Sequence, residues 1–236
     1  KIDDRRKYNP VASLSDSIPS LQRSSASERS PRLARKRIFD EIAVISSIPL
    51  TILGSNSGST GEEAYSLAIA LHRIIPDIKD WQITVLGTDM NEKALIKAVS
   101  GIYSRWSFRN CPAWLKANYF HHLGNGNYEV LPKIRTMATF SNLNLTEDIF
   151  TSLTNNIYAF DIIFCRNVLM YFTDEWIGKI TQNLFQALNP KGWFVVSSCE
   201  LNSQRFPQFR TVNFPGAVLY QKNQQGIFVF SNDSAV

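Results

Sequence analysis

The sequence predicts an α/β fold, with a doubly wound, mostly parallel sheet, an inserted β-hairpin and antiparallel strands towards the C-terminus. Two observations support this prediction. Residues 48–71 contain a short apolar run, a glycine-rich turn and then a helical repeat, which together form the strand–turn–helix unit of nucleotide-binding sheets. Residues 160–167 contain a second apolar run that ends in Arg166-Asn167, as expected for a central strand whose carboxyl end faces a ligand.

The first 36 residues are rich in Ser, Arg, Lys and Pro, and we predict that they form a disordered basic leader. Residues 1–37 contain ten Lys or Arg and four Asp or Glu, a surplus of +6, so the other residues carry −1 of the net +5. A basic tail can contact nucleic acid or acidic lipid, but its low apolar content favours a solvated leader. We therefore expect no nucleic-acid partner. Residues 37–47 are expected to form a short helix.

The composition excludes several classes of protein. No apolar run approaches 18 residues, so we expect no membrane insertion, and the polar N-terminus is unlike a signal peptide. Three widely spaced cysteines indicate a reducing compartment, without a disulfide framework or a metal cluster. We expect a cytoplasmic protein that is a monomer.

The first unit has a strand at Ile48–Leu53, a turn at Gly54–Gly61 and a helix from Glu62 to about Ile75. Glu62 stands where a phosphate-binding loop has its lysine, so the turn suits a ligand with hydroxyls, amines or positive charge. The alternative is an ordinary strand-to-helix turn, in which Ser59 or Thr60 is the N-cap and Glu63 closes a capping box.

A second strand, Trp81–Thr88, ends at Asp89. In doubly wound sheets, an acidic residue at this position accepts hydrogen bonds from ribose hydroxyls. Alternatively, Asp89 is only the N-cap of the next helix, Asn91–Val99, which Ser100-Gly101 ends.

The remaining elements are less strongly marked. We expect the aromatic residues of 102–122 to pack in the core rather than form a binding cage. The turn Gly124–Asn127 predicts a β-hairpin. An amphipathic helix is expected at Asp174–Leu188, ended by Asn189–Gly192. The other predicted strands are Met137–Phe140, Trp193–Ser198, Ala217–Tyr220 and Gly226–Phe230, of which the last two form a possible antiparallel pair.

Four polar clusters lie at predicted strand ends on one edge of the sheet. They are Gly58–Glu63, Asp89, Asn144-Leu145 and Arg166-Asn167. Because none contains a phosphate-binding lysine, they suggest an adenosine ligand without phosphate, of which S-adenosylmethionine is the leading candidate.

Several motifs resemble those of one family. Ser59-Thr-Gly-Glu-Glu-Ala-Tyr-Ser-Leu-Ala, Thr88-Asp-Met-Asn, Ser100-Gly-Ile-Tyr, Asn144-Leu and Phe164-Cys-Arg-Asn-Val-Leu-Met-Tyr-Phe occur in this order. Over residues 50–222 the chain resembles the CheR family of chemotaxis receptor methyltransferases. The resemblance implies a Rossmann-like methyltransferase domain at 37–222 and a C-terminal strand or tail at 223–236. It also implies methyl transfer from S-adenosylmethionine to glutamate side chains in the cytoplasmic domain of a chemoreceptor.

The resemblance assigns roles to ten residues. The expected cofactor-binding residues are Gly58, Thr60, Gly61, Glu63 (amino group), Asp89 (ribose), Asn144 and Leu145 (adenine side), and Arg166 and Asn167 (junction with the substrate). The expected catalytic residues are Arg166, which orients the substrate carboxylate or anchors that of the cofactor, and Tyr171, which lies near the methyl group. For Tyr171 the alternative is an aromatic core residue after a strand.

The chain departs from the family before the first strand. Family members carry an N-terminal helical domain and a Phe-Phe-Arg motif, whereas residues 32–40 read Arg-Leu-Ala-Arg-Lys-Arg-Ile-Phe-Asp. Residues 1–49 are therefore expected to be replaced, truncated or rearranged. The alternative function is a degenerate CheR-like domain that acts as a sensor or scaffold. The short hairpin at Gly124–Gly126 resembles members that do not grip a receptor tail.

Overall fold

A central seven-stranded sheet organises the fold. The computed structural model describes residues 50–55, 60–75, 77–109, 111–147 and 159–223. The sheet order is β6-β2-β1-β7-β8-β10-β9. Its strands are β1 (Leu50–Ser55), β2 (Ile83–Asp89), β6 (Ala138–Asn142), β7 (Phe160–Cys165), β8 (Leu188–Val195), β9 (Phe209–Phe214) and β10 (Ala217–Lys222). The helices are α1 (Glu62–Ile74), α2 (Glu92–Ser100), α3 (Ala113–Tyr119), α4 (Pro132–Arg135) and α5 (Asp174–Ala187).

The five strands from β6 to β8 are parallel, as predicted. Strand β1 lies between β2 and β7, with Ile52 opposite both Val85 and Ile162. Strands β2 and β6 lie on one side of β1, and the later strands β7 and β8 lie on the other side, so the strand order reverses at β1. The carboxyl ends of β1, β2 and β7 lie side by side. Open α/β sheets bind ligands at this position.

Both faces of the sheet are covered, because side chains of β7 and β8 alternate between two hydrophobic clusters. Ile163 and Phe194 pack in the cluster that contains α5, whereas Ile162 and Trp193 pack in the cluster that contains α1. Successive residues of a strand point to opposite faces, so a strand buried on both sides is a nearly continuous apolar run. This explains the run at residues 160–165.

The C-terminal strands are antiparallel, as predicted, but their pairing differs from the expectation. Strand β10 pairs with β8 on one side and with β9 on the other. Strand β9 was not predicted, and the expected partner Gly226–Phe230 lies outside the described residues. Strand β9, at the edge of the sheet, reads Phe-Arg-Thr-Val-Asn-Phe, which has no regular alternation of apolar and polar residues and is therefore a weak pattern.

Helix α5 ends at Ala187, and the expected stop at Asn189–Gly192 lies inside β8. The pairing of β8 with β7 shifts there, from Phe160–Leu188 to Ile162–Trp193. Lys191 has a φ of 65°, so the extra residues form an irregular bend that does not end the strand.

The insert between α2 and β6 is a second sheet with the order β3-β5-β4. Its strands are β3 (Ile102–Ser104), β4 (Phe120–Gly124) and β5 (Asn127–Val130). The predicted β4–β5 hairpin is confirmed, while β3 was not predicted. Of the aromatic residues, Tyr103 and Tyr119 are buried as expected, but Trp106 and Trp114 are exposed.

Within the described residues, no helix has the length and hydrophobicity needed to cross a membrane. The three cysteines are free. The described part of the chain contains no group of three or more His, Cys, Asp or Glu side chains arranged for a metal ion. The predicted leader and the helix expected at 37–47 lie outside the described residues.

Candidate functional site

The candidate site lies where β1, β2 and β7 end. In the sheet register Ser55 is opposite Thr88 of β2 and Cys165 of β7. Asp89 and Arg166 each follow one of these positions, so they flank the end of β1 on opposite sides. The register thus brings together polar residues that are far apart in the sequence.

Glu63 and Arg166 form a buried ion pair across the end of β1. Glu63 Oε1 lies 3.2 Å from Arg166 Nη1, and the two side chains are only 3% and 6% exposed. Glu63 is in the first turn of α1, where the helix dipole favours a negative charge. The structure therefore joins two sequence-predicted site residues, and it holds the Glu63 carboxylate in a fixed position.

A cleft of about 280 Å³, open to solvent, lies beside this ion pair. Its lining includes Gly54, Gly61, Glu63, Thr88 and Asp89, and therefore two carboxylates. A Cβ added at Gly54 would lie no closer than 3.8 Å to any neighbouring side chain, so this glycine leaves free space at the strand end.

Asp89 is half-buried at the carboxyl end of β2. Its Oδ1 accepts a hydrogen bond of 2.8 Å from the Asn91 backbone N–H. Helix α2 is capped by Asn91, whose side chain accepts from Lys93. The alternative that Asp89 caps this helix is therefore wrong.

The turn before α1 is held by the insert. The Tyr103 hydroxyl donates a 2.8 Å hydrogen bond to the carbonyl of Thr60. Gly61 has a φ of 92°, and a Cβ there would lie 2.8 Å from both Ala98 Cβ and the Tyr103 hydroxyl oxygen. Gly61 is also the N-cap of α1, and within the described residues no side chain caps the helix, so the alternative of a capping box closed by Glu63 is wrong. Gly58 lies outside the described residues.

Asn144 and Leu145 follow β6, on the far side of β2 from β1. Asn144 Oδ1 accepts hydrogen bonds from the backbone and hydroxyl of Thr146, and its Nδ2 donates to Glu147. Leu145 is buried in the cluster that contains α5. Neither residue belongs to the described lining of the cleft.

The segment after β7 carries Asn167 and Tyr171. Asn167 has a φ of 56°, a left-handed conformation that few residues other than glycine adopt. Within the described residues, its buried Oδ1 has no hydrogen-bond partner. Tyr171 is 71% exposed on the short 3₁₀ turn Leu169–Tyr171, so the alternative of a core aromatic is wrong.

Glu200 also belongs to this region, although the sequence analysis did not select it. It is buried, and its carboxylate accepts backbone hydrogen bonds from Asn167, Val168 and Met170. The available signal was the spacing Ser197-x-x-Glu200, which is a capping-box pattern and which the structure confirms as a capping box.

Burial raises the pKa of the Cys165 thiol well above its usual range, and the nearby carboxylates of Glu200 and Glu63 raise it further. Cys165 is therefore an unreactive thiol at neutral pH, even though it is next to Arg166. The polar groups of the site are the Glu63 and Asp89 carboxylates and the Arg166 guanidinium. The Asn167 amide oxygen, which has no partner among the described residues, is a further polar group. These groups can bind hydroxyl, amine and carboxylate groups of a ligand.

Residues 31–217 match the family model described as "CheR methyltransferase, SAM binding domain". The match includes residues 32–40, where the Phe-Phe-Arg motif is missing. "Chemotaxis protein methyltransferase 2" of Vibrio cholerae is 30% identical over 71% of this chain and 57% of its own length. "Chemotaxis protein methyltransferase" of Borreliella burgdorferi is 28% identical over 60% of this chain and 49% of its own length.

A third relative, "Probable chemotaxis protein methyltransferase" of Rhizobium etli, is 30% identical over 58% of this chain and 50% of its own length. The chain thus spans about half the length of these three relatives. The family model covers most of the chain. The chain therefore belongs to the CheR methyltransferase family and contains the S-adenosylmethionine-binding domain of that family.

Proposed function

We propose that this domain binds S-adenosylmethionine at the carboxyl ends of β1, β2 and β7 and transfers its methyl group to glutamate side chains of a chemoreceptor. The observation that carries the proposal is the cleft lined by Glu63 and Asp89, with Arg166 buried against Glu63. The names of the three relatives support the reaction and the chemotaxis setting.

The residues present fit this cofactor. Gly54 leaves space at the end of β1, where the cleft opens to solvent. Its two carboxylates suit the hydroxyl and amino donors of the cofactor, and a phosphate would be repelled. The buried Oδ1 of Asn167, which has no hydrogen-bond partner among the described residues, offers a further acceptor near the substrate junction.

Asp89 would hold the ribose hydroxyls, and Glu63 would hold the amino group of the methionine part. Thr60 and Gly61 border the turn, and Asn144 and Leu145 would form the adenine side. Asn144 is already committed to its own turn through Thr146 and Glu147, so its contact with the adenine would need the Nδ2 group to change partners.

Bound S-adenosylmethionine supplies an activated methyl group on a sulfonium. The attacking glutamate carboxylate is already ionised, so no residue of this chain has to remove a proton. The chain instead aligns the two reactants, a contribution that can reach about 7–11 kcal/mol in favourable cases. Arg166 would orient the substrate carboxylate or anchor that of the cofactor, and exposed Tyr171 would contact the substrate near the methyl group.

Calorimetric titration with S-adenosylmethionine and S-adenosylhomocysteine tests the binding step. We expect micromolar affinity, about 8 kcal/mol, and a loss of at least about tenfold in Asp89→Ala. Asp80→Ala, in an exposed 3₁₀ turn outside the cleft lining, is the matched control and should bind like the wild type. Absence of binding by the wild type would rule out the proposal.

Transfer is tested separately, with radiolabelled S-adenosylmethionine and the cytoplasmic domains of candidate chemoreceptors. Glutamate methyl esters release their methyl group in alkali, which separates them from N-methylated products. Alkali-stable label would contradict the proposed substrate group.

The second candidate function is a cofactor- or receptor-binding sensor or scaffold with little turnover. The missing Phe-Phe-Arg motif in residues 32–40 favours it. Binding of S-adenosylhomocysteine without transfer to any chemoreceptor would support this second function over the first.

A further inference from the structure

Glu200 holds the loop that follows β7 through a set of hydrogen bonds that the mechanism above does not use. Oε2 accepts from the Asn167 N–H at 2.8 Å, and Oε1 accepts from the N–H groups of Val168 at 2.9 Å and Met170 at 3.3 Å. Oε2 also accepts from the N–H of Ser197 at 3.2 Å and from its hydroxyl. One carboxylate therefore ties the end of β7 to the end of β8.

In all of these contacts the Glu200 carboxylate accepts the hydrogen bond, and it is nearly inaccessible to water. Glu200 is 6% exposed, and no ion pair of Glu200 occurs within the described residues. A carboxylate with several backbone N–H donors is a stable arrangement without a cation, because charge-assisted hydrogen bonds replace its hydration. No neutral side chain of similar size has two oxygens that only accept.

The anchor acts on a left-handed residue, because Asn167 has a φ of 56°. Asparagine adopts this conformation more readily than other residues with a side chain. Glu200 accepts from the N–H groups of Asn167 and Val168, which lie on both sides of the Asn167 backbone torsions. Asn167 directly follows Arg166, which is paired with Glu63, and the same loop leads to Tyr171. The conformation of the loop 167–171 therefore decides where Asn167 and Tyr171 lie, and it sets how the chain leaves Arg166.

We propose that Glu200 is a positioning residue, which fixes the loop 167–171 and thereby places Arg166, Asn167 and Tyr171 at the cofactor and substrate site. The proposal rests on the proposed function, since it assigns a role to Glu200 in that same site. Glu200 contacts neither reactant and acts through the loop.

Glu200→Gln is the informative substitution. It keeps the size of the side chain but replaces one accepting oxygen by an NH₂ group, which faces backbone N–H donors. Asp161→Asn is the matched control. Asp161 is also a buried carboxylate and lies at the other end of β7, where it accepts a hydrogen bond from Asn189. Both variants lose a buried charge, but only one loses the loop anchor.

The first measurement is amide hydrogen exchange of the loop in the whole chain. We expect the amides of Asn167, Val168 and Met170 to lose at least about tenfold protection in Glu200→Gln and to keep it in Asp161→Asn. Equal protection of these amides in the wild type and Glu200→Gln would overturn the proposal.

The second measurement is the affinity for S-adenosylhomocysteine, taken at a temperature where both variants are folded. We expect at least about a tenfold loss in Glu200→Gln relative to Asp161→Asn, and partial recovery in Glu200→Asp, which restores two accepting oxygens. Equal affinities of the two amide variants would overturn the proposed role in the site.

The two proposals fail in different ways. If the wild type binds neither S-adenosylmethionine nor S-adenosylhomocysteine, the proposed function is wrong, and the role of Glu200 in the site is wrong with it. If the wild type binds but Glu200→Gln matches the control in exchange and affinity, only the role of Glu200 is overturned.

Discussion

The buried ion pair between Glu63 and Arg166 allows a quantitative prediction, because an ion pair with the same N–O distance occurs at an exposed position. Glu63 and Arg166 are 3.2 Å apart and at most 6% exposed, whereas Glu129 and Arg135 are also 3.2 Å apart but 36% and 43% exposed. The N–O distance is therefore matched, while the burial of the two pairs differs strongly.

Glu63→Gln should cost about 3 kcal/mol of unfolding free energy, the lower end of the range for breaking a buried pair, because glutamine still accepts a hydrogen bond. Glu129→Gln should cost only about 0.2–1 kcal/mol, since water screens an exposed pair. For a chain of this length, the first loss corresponds to a fall in Tm of about 6–12 °C.

Urea-induced unfolding of the wild type and the two variants, followed by tryptophan fluorescence, measures both losses. The double variant Glu63→Gln/Arg166→Met should recover part of the loss, because it removes the buried cation as well. Losses that agree within about 0.5 kcal/mol between Glu63→Gln and Glu129→Gln would refute the reasoning, since burial would then have no effect.

Three further predictions concern a hydrogen bond of the insert, the space at two glycines and the titration of one histidine. Tyr103→Phe removes the hydrogen bond to Thr60 and should cost about 1 kcal/mol in urea unfolding; an unchanged midpoint would contradict this. Gly87→Ala places a Cβ 2.7 Å from a phenylalanine ring and should cost about 1–3 kcal/mol, whereas Gly178→Ala, on α5 with open space, should stabilise the protein by about 0.5–1 kcal/mol. Burial, with a neighbouring lysine, lowers the pKa of His72 below 6.5. Below pH 6.5 the unfolded chain then binds more protons at His72 than the folded chain does, so the free energy of unfolding should fall as the pH falls. In melting curves recorded at several pH values, His72→Gln should reduce this dependence of stability on pH.

The strand ends could be predicted from the sequence because their pattern is local. An apolar run that ends in polar residues marks a buried parallel strand and its ligand-facing end, which is how Asp89, Arg166 and Asn167 were selected. Their side-by-side arrangement also follows from the predicted topology. The pairing of Glu63 with Arg166 does not, because it depends on side-chain geometry between α1 and the end of β7.

Other features depend on contacts that no local pattern encodes. Glu200 has the spacing of an ordinary capping residue, and only the folded loop shows that three backbone N–H groups beyond β7 also converge on it. The exposure of Tyr171 could not be predicted from the sequence either, since an aromatic residue after a strand occurs both in cores and on surfaces. Strand β9 was missed because half-buried edge strands have short and mixed patterns.

The position of β1 in the middle of the sheet has a consequence for folding. Ile52 pairs with Ile162, 110 positions later in the sequence, so the centre of the sheet closes only after most of the chain is available. During synthesis, a chain that ends before β7 leaves one edge of β1 without its final partner. Such edges are prone to association, and contacts between distant residues form slowly. We therefore expect the completion of β7, more than any local helix, to limit how fast the domain folds on the ribosome.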